Sequence, residues 1–499
     1  MKFLISLIVL FPTLLFAQFP VDYVVSEPFR DAKRSGSLYK TFTTDQNQIV
    51  LVRNAKKQIL IDVYSEDFTP VLNKSIERDR MEVLFGSMIR GNELILISVY
   101  YPNSKERVVT THLLNLSTGD HKTKTLLNKT LEKTGKLLSL RINRQTMMAV
   151  SRNNRYFVIG MDDFKENVGS FELIVFDTET LERQYRQNSR KSGDAPIYIA
   201  SDLMIDNDGV VYLLGKEYER GEIINVINDA DRNYLLTRAD AESVSSESID
   251  LGSEQHVITL RLLDAKNHVR AVGLYGKRQG SKINGTVVFT HDKKDLSMVA
   301  EKRSDIPKEI YDDLFHSERA ERRNKKQKGI RNTYINYIKE SEDGTIYLSA
   351  QEYMVDNSTD QNRNSMNHYH YGNILHFSIN PVGELNWGRA IRFSFTLNEY
   401  ALNHLYHSIV TDGSLYVVLN GYLGKEERIR ANDKSRGIRN ALLVYRYDNQ
   451  GEVERAWLFN NPAALTSRFA PQYGAVTSNG QFVTLNSRRG QRRFIMIRF

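Results

Sequence analysis

The sequence predicts an all-β protein made from one four-stranded unit repeated along the chain. Three observations carry this expectation. A turn motif centred on Asp-Gly recurs at regular spacing, and each copy is followed by a second turn with strand-like segments on both sides. The composition also favours strands, with 26 Tyr and 22 Phe against only two Trp.

The motif is clearest in three places. Met204 to Tyr218 reads MIDNDGVVYLLGKEY, Lys339 to Tyr353 reads KESEDGTIYLSAQEY, and Asp412 begins DGSLYVVLNGY. In each copy Tyr follows the Gly by three places and again by nine: Tyr212 and Tyr218, Tyr347 and Tyr353, Tyr416 and Tyr422. A weaker copy, NGQFVTLNS, starts at Asn479. The glycines stand at 209, 344, 413 and 480, so the gaps are 135, 69 and 67 and the first has room for a further copy. Asn267-His268, followed by VRAVGLYG, occupies it. Earlier copies keep the shape without the Asp-Gly, at Asn154-Arg155, Gly91-Asn92 and Asp45 to Gln48, which makes eight beats. After each beat an apolar run ends in a polar turn and a strand-like segment resumes, as in ELIVFDTET from Glu172 and LLVYRYDNQGE from Leu442. Short turns rich in Asp, Asn and Gly between alternating apolar runs are hairpin signals.

Two hairpins per beat give four strands in each repeat, and a ring of such units is a β-propeller. The expectation is eight blades, with seven as the alternative if one degenerate early unit is not a blade. The pattern Asp-x-Asp-Gly-x-x-Tyr-Leu from Asp206 to Leu213 resembles NHL-type and related bacterial propeller repeats. That resemblance implies the fold and no particular activity. The eighth unit has three strands before the chain reaches Phe499, while VDYVVS, Val21 to Ser26, is an orphan strand ahead of the first unit. Pairing Val21–Ser26 with Phe494–Phe499 closes the ring and removes two open edges. A membrane barrel is disfavoured because the strands are apolar on both faces, where a barrel alternates.

The N-terminus reads as a secretory signal: Lys2, an apolar run from Phe3 to Phe16, and Ala17 before Gln18. The run is short for a bilayer span, so cleavage after Ala17 is expected, leaving residues 18–499 as one propeller domain with a helical insertion at about 304–332 and no transmembrane segment. The chain has no cysteine, which excludes disulfides, thiol nucleophiles, thiolate metal sites and lipid attachment through cysteine. The expected location is therefore the periplasm or outside the cell, as a monomer that is not a lipoprotein. Net charge is +8, of which Lys2 contributes one. So mild an excess points to an acidic polysaccharide or a protein as partner rather than to nucleic acid.

In an up-and-down blade, the turns joining strands 1–2 and 3–4 share one face of the disc. The 2–3 loops and the links between blades share the other. All the long segments fall in the second class: Asp162–Ser170, Glu219–Arg232, Met354–Tyr371, Lys425–Arg439 and the link Ser304–Asn332. Loops on a rigid scaffold carry function, so this loop face is the expected working surface. Ser304 to Gln327 reads as one helix, capped by Ser304 or Asp305 with Pro307 in its first turn. Its basic half offers Arg322, Arg323, Lys325 and Lys326 to an acidic partner, and Arg428 and Arg430 add to the charge from the next long loop. A run of like charge is also what a solvated helix end looks like.

His368, Tyr369, His370 and Tyr371 form the main histidine concentration. In an extended segment His368 and His370 point the same way, yet no third ligand sits at a fixed spacing, so ligand contact or a plain aromatic loop is expected and no metal. His404 and His407 are expected to line the channel or to pack. The nucleophile-elbow, zincin, phosphate-loop and calcium-loop patterns are absent, and no catalytic residue or cofactor is assigned. The leading expectation is a non-catalytic binding or scaffold propeller that holds a protein or polysaccharide on its loop face. The second is a polysaccharide-active lyase or hydrolase, which requires ionisable side chains converging at the channel mouth.

Overall fold

The computed structural model describes residues 19–499 except 31–35, 80, 104–105, 131–145, 166–167, 190–196, 219–232, 253, 266, 278–281, 332, 360–364, 398–403, 423–439, 459–467 and 489–490. The expected signal segment and the expected loops Glu219–Arg232 and Lys425–Arg439 lie outside these residues.

Eight antiparallel sheets follow one another along the chain, each with a core of four strands, and together they form an eight-bladed β-propeller. Blade 1 runs from Ser37–Thr43 to Pro70–Glu77, and blade 2 from Val83–Arg90 to His121–Thr130. Blades 3 to 7 begin at Thr146, Ile197, Gln255, Thr333 and Tyr406. Blade 8 joins Arg468–Phe469, Phe482–Arg488 and Gln491–Arg498 to the N-terminal strand Asp22–Val25. The closing register sets Asp22 against Arg498 and Val25 against Ile495. Ser26 extends it: its N–H donates to the Phe494 carbonyl at 3.1 Å, and its Oγ accepts from the Phe494 N–H at 2.9 Å.

The repeat motif has a physical reason at each position. In blade 4 the first Asp of the turn, Asp206, accepts from the N–H groups of Asp208 and Val210 at 3.0 and 2.9 Å, and Gly209 takes φ +83°. That left-handed backbone is what favours glycine there. The Tyr three places on is a latch between blades: the Tyr347 hydroxyl donates to the Gly413 carbonyl in the turn of blade 7 at 3.0 Å, and the Tyr212 hydroxyl donates to the Lys293 carbonyl of blade 5 at 3.1 Å.

Apolar residues on both faces of each strand fill the gaps between neighbouring blades. Val50, Ile61 and Ile76 of blade 1 meet Leu84, Leu94 and Leu114 of blade 2. Ile374 and Trp387 of blade 6 meet Val417, Leu419 and Tyr447 of blade 7. Trp387 and Trp457 both lie on fourth strands but are not equivalent: Trp387 sits opposite Ser378, one place from the end of its third strand, and Trp457 opposite Leu443, four places from the end of its own. One interface also holds a buried ion pair. The Arg107 guanidinium of blade 2 donates to both the carbonyl and the carboxylate of Asp162 in blade 3, each at 2.7 Å.

Three expected loops differ from expectation. Asp162–Ser170 is not a loop: the strands Tyr156–Lys165 and Val168–Asp177 pair through it, with Lys165 opposite Val168. Met354–Tyr371 is not a loop either. Its flanks are strands running to Thr359 and back from Ser365, so blade 6 extends upward as a long hairpin, with Phe395–Leu397 added beside Tyr369–Tyr371. Backbone pairing supplied by a partner strand outweighs the turn-forming tendency of the Asn, Asp and Ser residues there. The third is the helical link. Strand Met298–Asp305 consumes Ser304 and Asp305, and two short helices follow, α1 (Lys308–Leu314) and α2 (Ser317–Lys325), broken at Phe315-His316. Pro307 is the N-cap of α1 and makes no side-chain cap. Helix α1 is pinned by burial of Ile310, Tyr311 and Leu314, and by Asp313, whose carboxylate accepts from Arg389 on blade 6 at 2.9 and 3.0 Å.

Candidate functional site

The inner strands of the blades surround the axis. Between blades 6, 7, 8, 1, 2 and 3 they leave a cavity of about 590 Å³. Its wall includes Tyr39 and Lys40 of blade 1, Ser87 of blade 2, Asn336 and Tyr337 of blade 6, and His404, Tyr406, His407 and Ser408 at the start of blade 7. Gln472 and Tyr473, on a 3₁₀ turn inside blade 8, complete it. A second cavity of about 390 Å³ lies among strand ends on the loop face. Leu38, Phe393, Phe395, Leu397, Leu405 and Phe469 give it apolar walls, and Asn420, Ser487 and Arg492 give it polar ones. The two cavities are neighbours, and Gln472 and Tyr473 line both.

Inner-strand side chains alternate between the flanking interfaces and the axis, which is why residues from six blades converge. Lys40 reaches into the channel, open to the cavity yet ringed by protein, and that enclosure holds its ammonium below the ordinary lysine range. Burial pushes His404 and His407 down to about 4, with Arg261 adding to the effect on His404, and His404 and Lys40 adding to that on His407. Both imidazoles are therefore neutral at pH 7. Burial raises the Tyr39, Tyr337 and Tyr406 phenols, keeping them as hydrogen-bonding groups. Tyr406 donates to Asn336 Oδ1 at 3.3 Å. Among the described residues that line this cavity there is no Asp or Glu. Arg261, on the inner strand of blade 5, is held by Asp202 of blade 4 at 3.0 Å.

Behind the wall a buried chain leads away from the channel. The Ser408 hydroxyl donates to Ser349 Oγ at 3.0 Å, which is 2.9 Å from His376 Nδ1. His376 is fully buried, lies tilted against the Tyr447 ring at 5.3 Å and is pushed down to about 3 by burial, so it serves as a neutral packing group.

The residues singled out in the sequence separate into groups. His368 and His370 share one face of the blade 6 hairpin, with ring centroids 6.5 Å apart. His370 Nε2 lies 3.2 Å from the Asp356 carboxylate, and its Nδ1 is 3.0 Å from Thr396 Oγ1. No group of three or more His, Asp or Glu placed to hold a metal occurs among the described residues. Tyr369 and Tyr371 face the other way, into an aromatic cluster with Tyr353, Phe393, Phe395 and Leu405, and Tyr371 is 1% exposed. Arg322, Lys325 and Lys326 are exposed on α2. Arg323 is half-buried: it lies over the Phe315 ring at 4.6 Å and donates to the carbonyls of Lys328 and Gly329, each at 3.2 Å. It ties down the end of the helix. Arg428 and Arg430 lie outside the described residues. His404 and His407 do line the channel. Lys40, Tyr39, Tyr337, Gln472 and Tyr473 were not singled out, and no local motif marks them, because each is one residue of an ordinary strand or turn.

No family model matches the chain, and no curated protein matches it. Among solved structures it is similar to the WD40 domain of SCAP from fission yeast, with 7% identity over 96% of this chain and 94% of that one and a TM-score of 0.42. It is also similar to the polysaccharide lyase Uly1, with 10% identity, 95% and 99% coverage and a TM-score of 0.40. For prolyl oligopeptidase B from Galerina marginata, 9% identity extends over 92% of this chain but only 56% of that one, with a TM-score of 0.42. No helix among the described residues is long and apolar enough to cross a membrane.

Proposed function

We propose that the chain is an exported binding propeller that holds an acidic polysaccharide against its loop face. The observation that carries this reading is the pairing of two features on that face. Helix α2 presents Arg322, Lys325 and Lys326 to solvent, and the 390 Å³ pocket offers Phe393, Phe395 and Phe469 as flat apolar walls beside Asn420, Ser487 and Arg492. Aromatic walls suit the apolar faces of sugar rings, amide and hydroxyl groups suit their hydroxyls, and exposed cations suit a polyanion. Retention on immobilised polygalacturonate tests it. Replacing Arg322, Lys325 and Lys326 together by Ser, with the clamping Arg323 kept, should weaken retention, and the parent's retention should fall as salt rises through about 0.15 M, where screening acts within about 8 Å. Equal retention of variant and parent at low salt refutes the reading, and capture of a protein in place of the glycan redirects it. Export is part of the proposal: the mature chain starts at Gln18, and its intact mass checks this.

A second reading rests on the channel. Lys40, His404, His407 and the tyrosines converge as an active site requires, and a neutral imidazole can accept a proton. The absence of Asp and Glu among the described lining residues speaks against hydrolysis by paired carboxylates and leaves elimination from a uronate chain. Incubation with polygalacturonate, read by the ultraviolet absorbance of an unsaturated product, separates this enzyme from a binding protein.

A further inference from the structure

The channel cavity lies beside the loop-face pocket, and its chemistry is narrower. Lys40 is the one lysine or arginine among its described lining residues, and it is accompanied by no carboxylate. The Lys40 ammonium lies 4.9 Å from the centre of the Phe42 ring, and the wall of the same cavity carries the rings of Tyr39, Tyr337 and Tyr473, the amides of Asn336 and Gln472, and the hydroxyls of Ser87 and Ser408. A volume of about 590 Å³ is within the range of small-molecule sites, about 300–1,000 Å³. Such a wall offers ring faces for stacking, several neutral hydrogen-bonding groups and one positive charge.

We propose that the channel binds the carboxylate-bearing ring at the end of an acidic glycan, with the Lys40 ammonium on the carboxylate and the tyrosines and amides on the ring and its hydroxyls. This deepens the polysaccharide reading and rests on it, because the loop-face pocket and the channel share Gln472 and Tyr473 in their walls, which places the two sites next to each other. The charge balance favours an acid over a neutral sugar. An anion beside Lys40 compensates the cost of enclosing that ammonium, whereas a neutral ligand leaves the cost in place. The pairing is also a charge-assisted contact in a partly enclosed site, which is the strong class of hydrogen bond.

The test uses the full mature chain, trigalacturonate, and its methyl ester, which keeps the rings and removes the charge, with affinities measured by titration calorimetry. The expected result is that the acid binds about tenfold or more tightly than the ester, corresponding to one charge-assisted contact. Lys40→Met should reduce acid binding to the level of the ester while leaving ester binding unchanged. The variant with Arg322, Lys325 and Lys326 replaced by Ser should lose polymer retention and keep trisaccharide affinity. That contrast separates failure of this inference from failure of the loop-face reading. Lys40→Gln is the second variant if Lys40→Met melts early, and the acid–ester comparison on the parent needs no variant at all. Equal affinity for acid and ester, an unchanged Lys40 variant, or no trisaccharide binding by the parent each overturns the proposal.

Discussion

Removing Gln18 to Pro28 tests how the ring is held shut. The segment contributes the outer strand of blade 8, with four register pairs from Asp22 opposite Arg498 to Val25 opposite Ile495. Phe19, Val21, Tyr23 and Val25 are half-buried against a cluster that includes Phe482, Ile495 and Ile497. Losing this half-buried strand, with the two Ser26 bonds to Phe494, should cost about 2–4 kcal/mol, the range for removing a packed structural element. The exposed ion pair of Arg498 with Asp22 adds little. If the ring melts as one unit, its melting entropy is near 1 kcal/mol per degree, and the melting temperature should fall by about 2–4 °C. Calorimetry with light scattering reads both consequences, because the deletion also bares the edge of Gln491–Arg498 and should promote aggregation. A deletion variant that melts with the parent and stays dispersed refutes the closure argument.

The same interface gives a sharper variant: Ser26→Ala leaves the fully buried Phe494 amide without its hydroxyl acceptor and should cost about 1–3 kcal/mol in denaturant unfolding. Arg107→Met removes the buried guanidinium that bonds both the carbonyl and the carboxylate of Asp162 between blades 2 and 3 and should cost about 3–5 kcal/mol, most of it recovered when Asp162→Leu is added. His376 sets a pH dependence. Its folded value of about 3 lies below the unfolded value near 6.5, so the unfolded chain takes up the proton first and stability falls as pH drops below about 6.5. The loss from this residue is about 2 kcal/mol at pH 5, and urea melts from pH 7.5 to 4.5 should show a shallower slope for His376→Leu. His404 and His407 act in the same direction.

The blade repeat and the ring closure were legible because their causes are local. A left-handed turn at Gly209 needs a glycine, and an orphan VDYVVS needs a partner, wherever the rest of the chain lies. The blade 6 hairpin was not legible. Asn357 and Ser358 have little strand preference of their own, and what makes them strand is pairing with Asn367 and Met366. The channel site was legible only at His404 and His407. Lys40 and Gln472 are more than 400 positions apart in sequence and come together only when the first and last blades meet. The basic arm was visible as a charge run, but the division of labour within it, Arg323 clamping the helix end while Arg322 and Lys325 face solvent, depends on the neighbouring Phe315 ring.

The closing strand also dictates an order of events. Blades 1 to 7 are each built from consecutive hairpins and can form as soon as their own residues are available. Blade 8 cannot, because Asp22–Val25 is the first described strand and its partner Gln491–Arg498 is the last. The N-terminal strand must therefore wait, unpaired, until the final residues arrive, and the axial cavity waits with it, since Lys40 at one end of the chain and Gln472 near the other share its wall. A chain that stalls before blade 8 is thus a set of finished blades whose axial cavity lacks the wall that Gln472 and Tyr473 complete, so that cavity exists only once the first and last described blades have met.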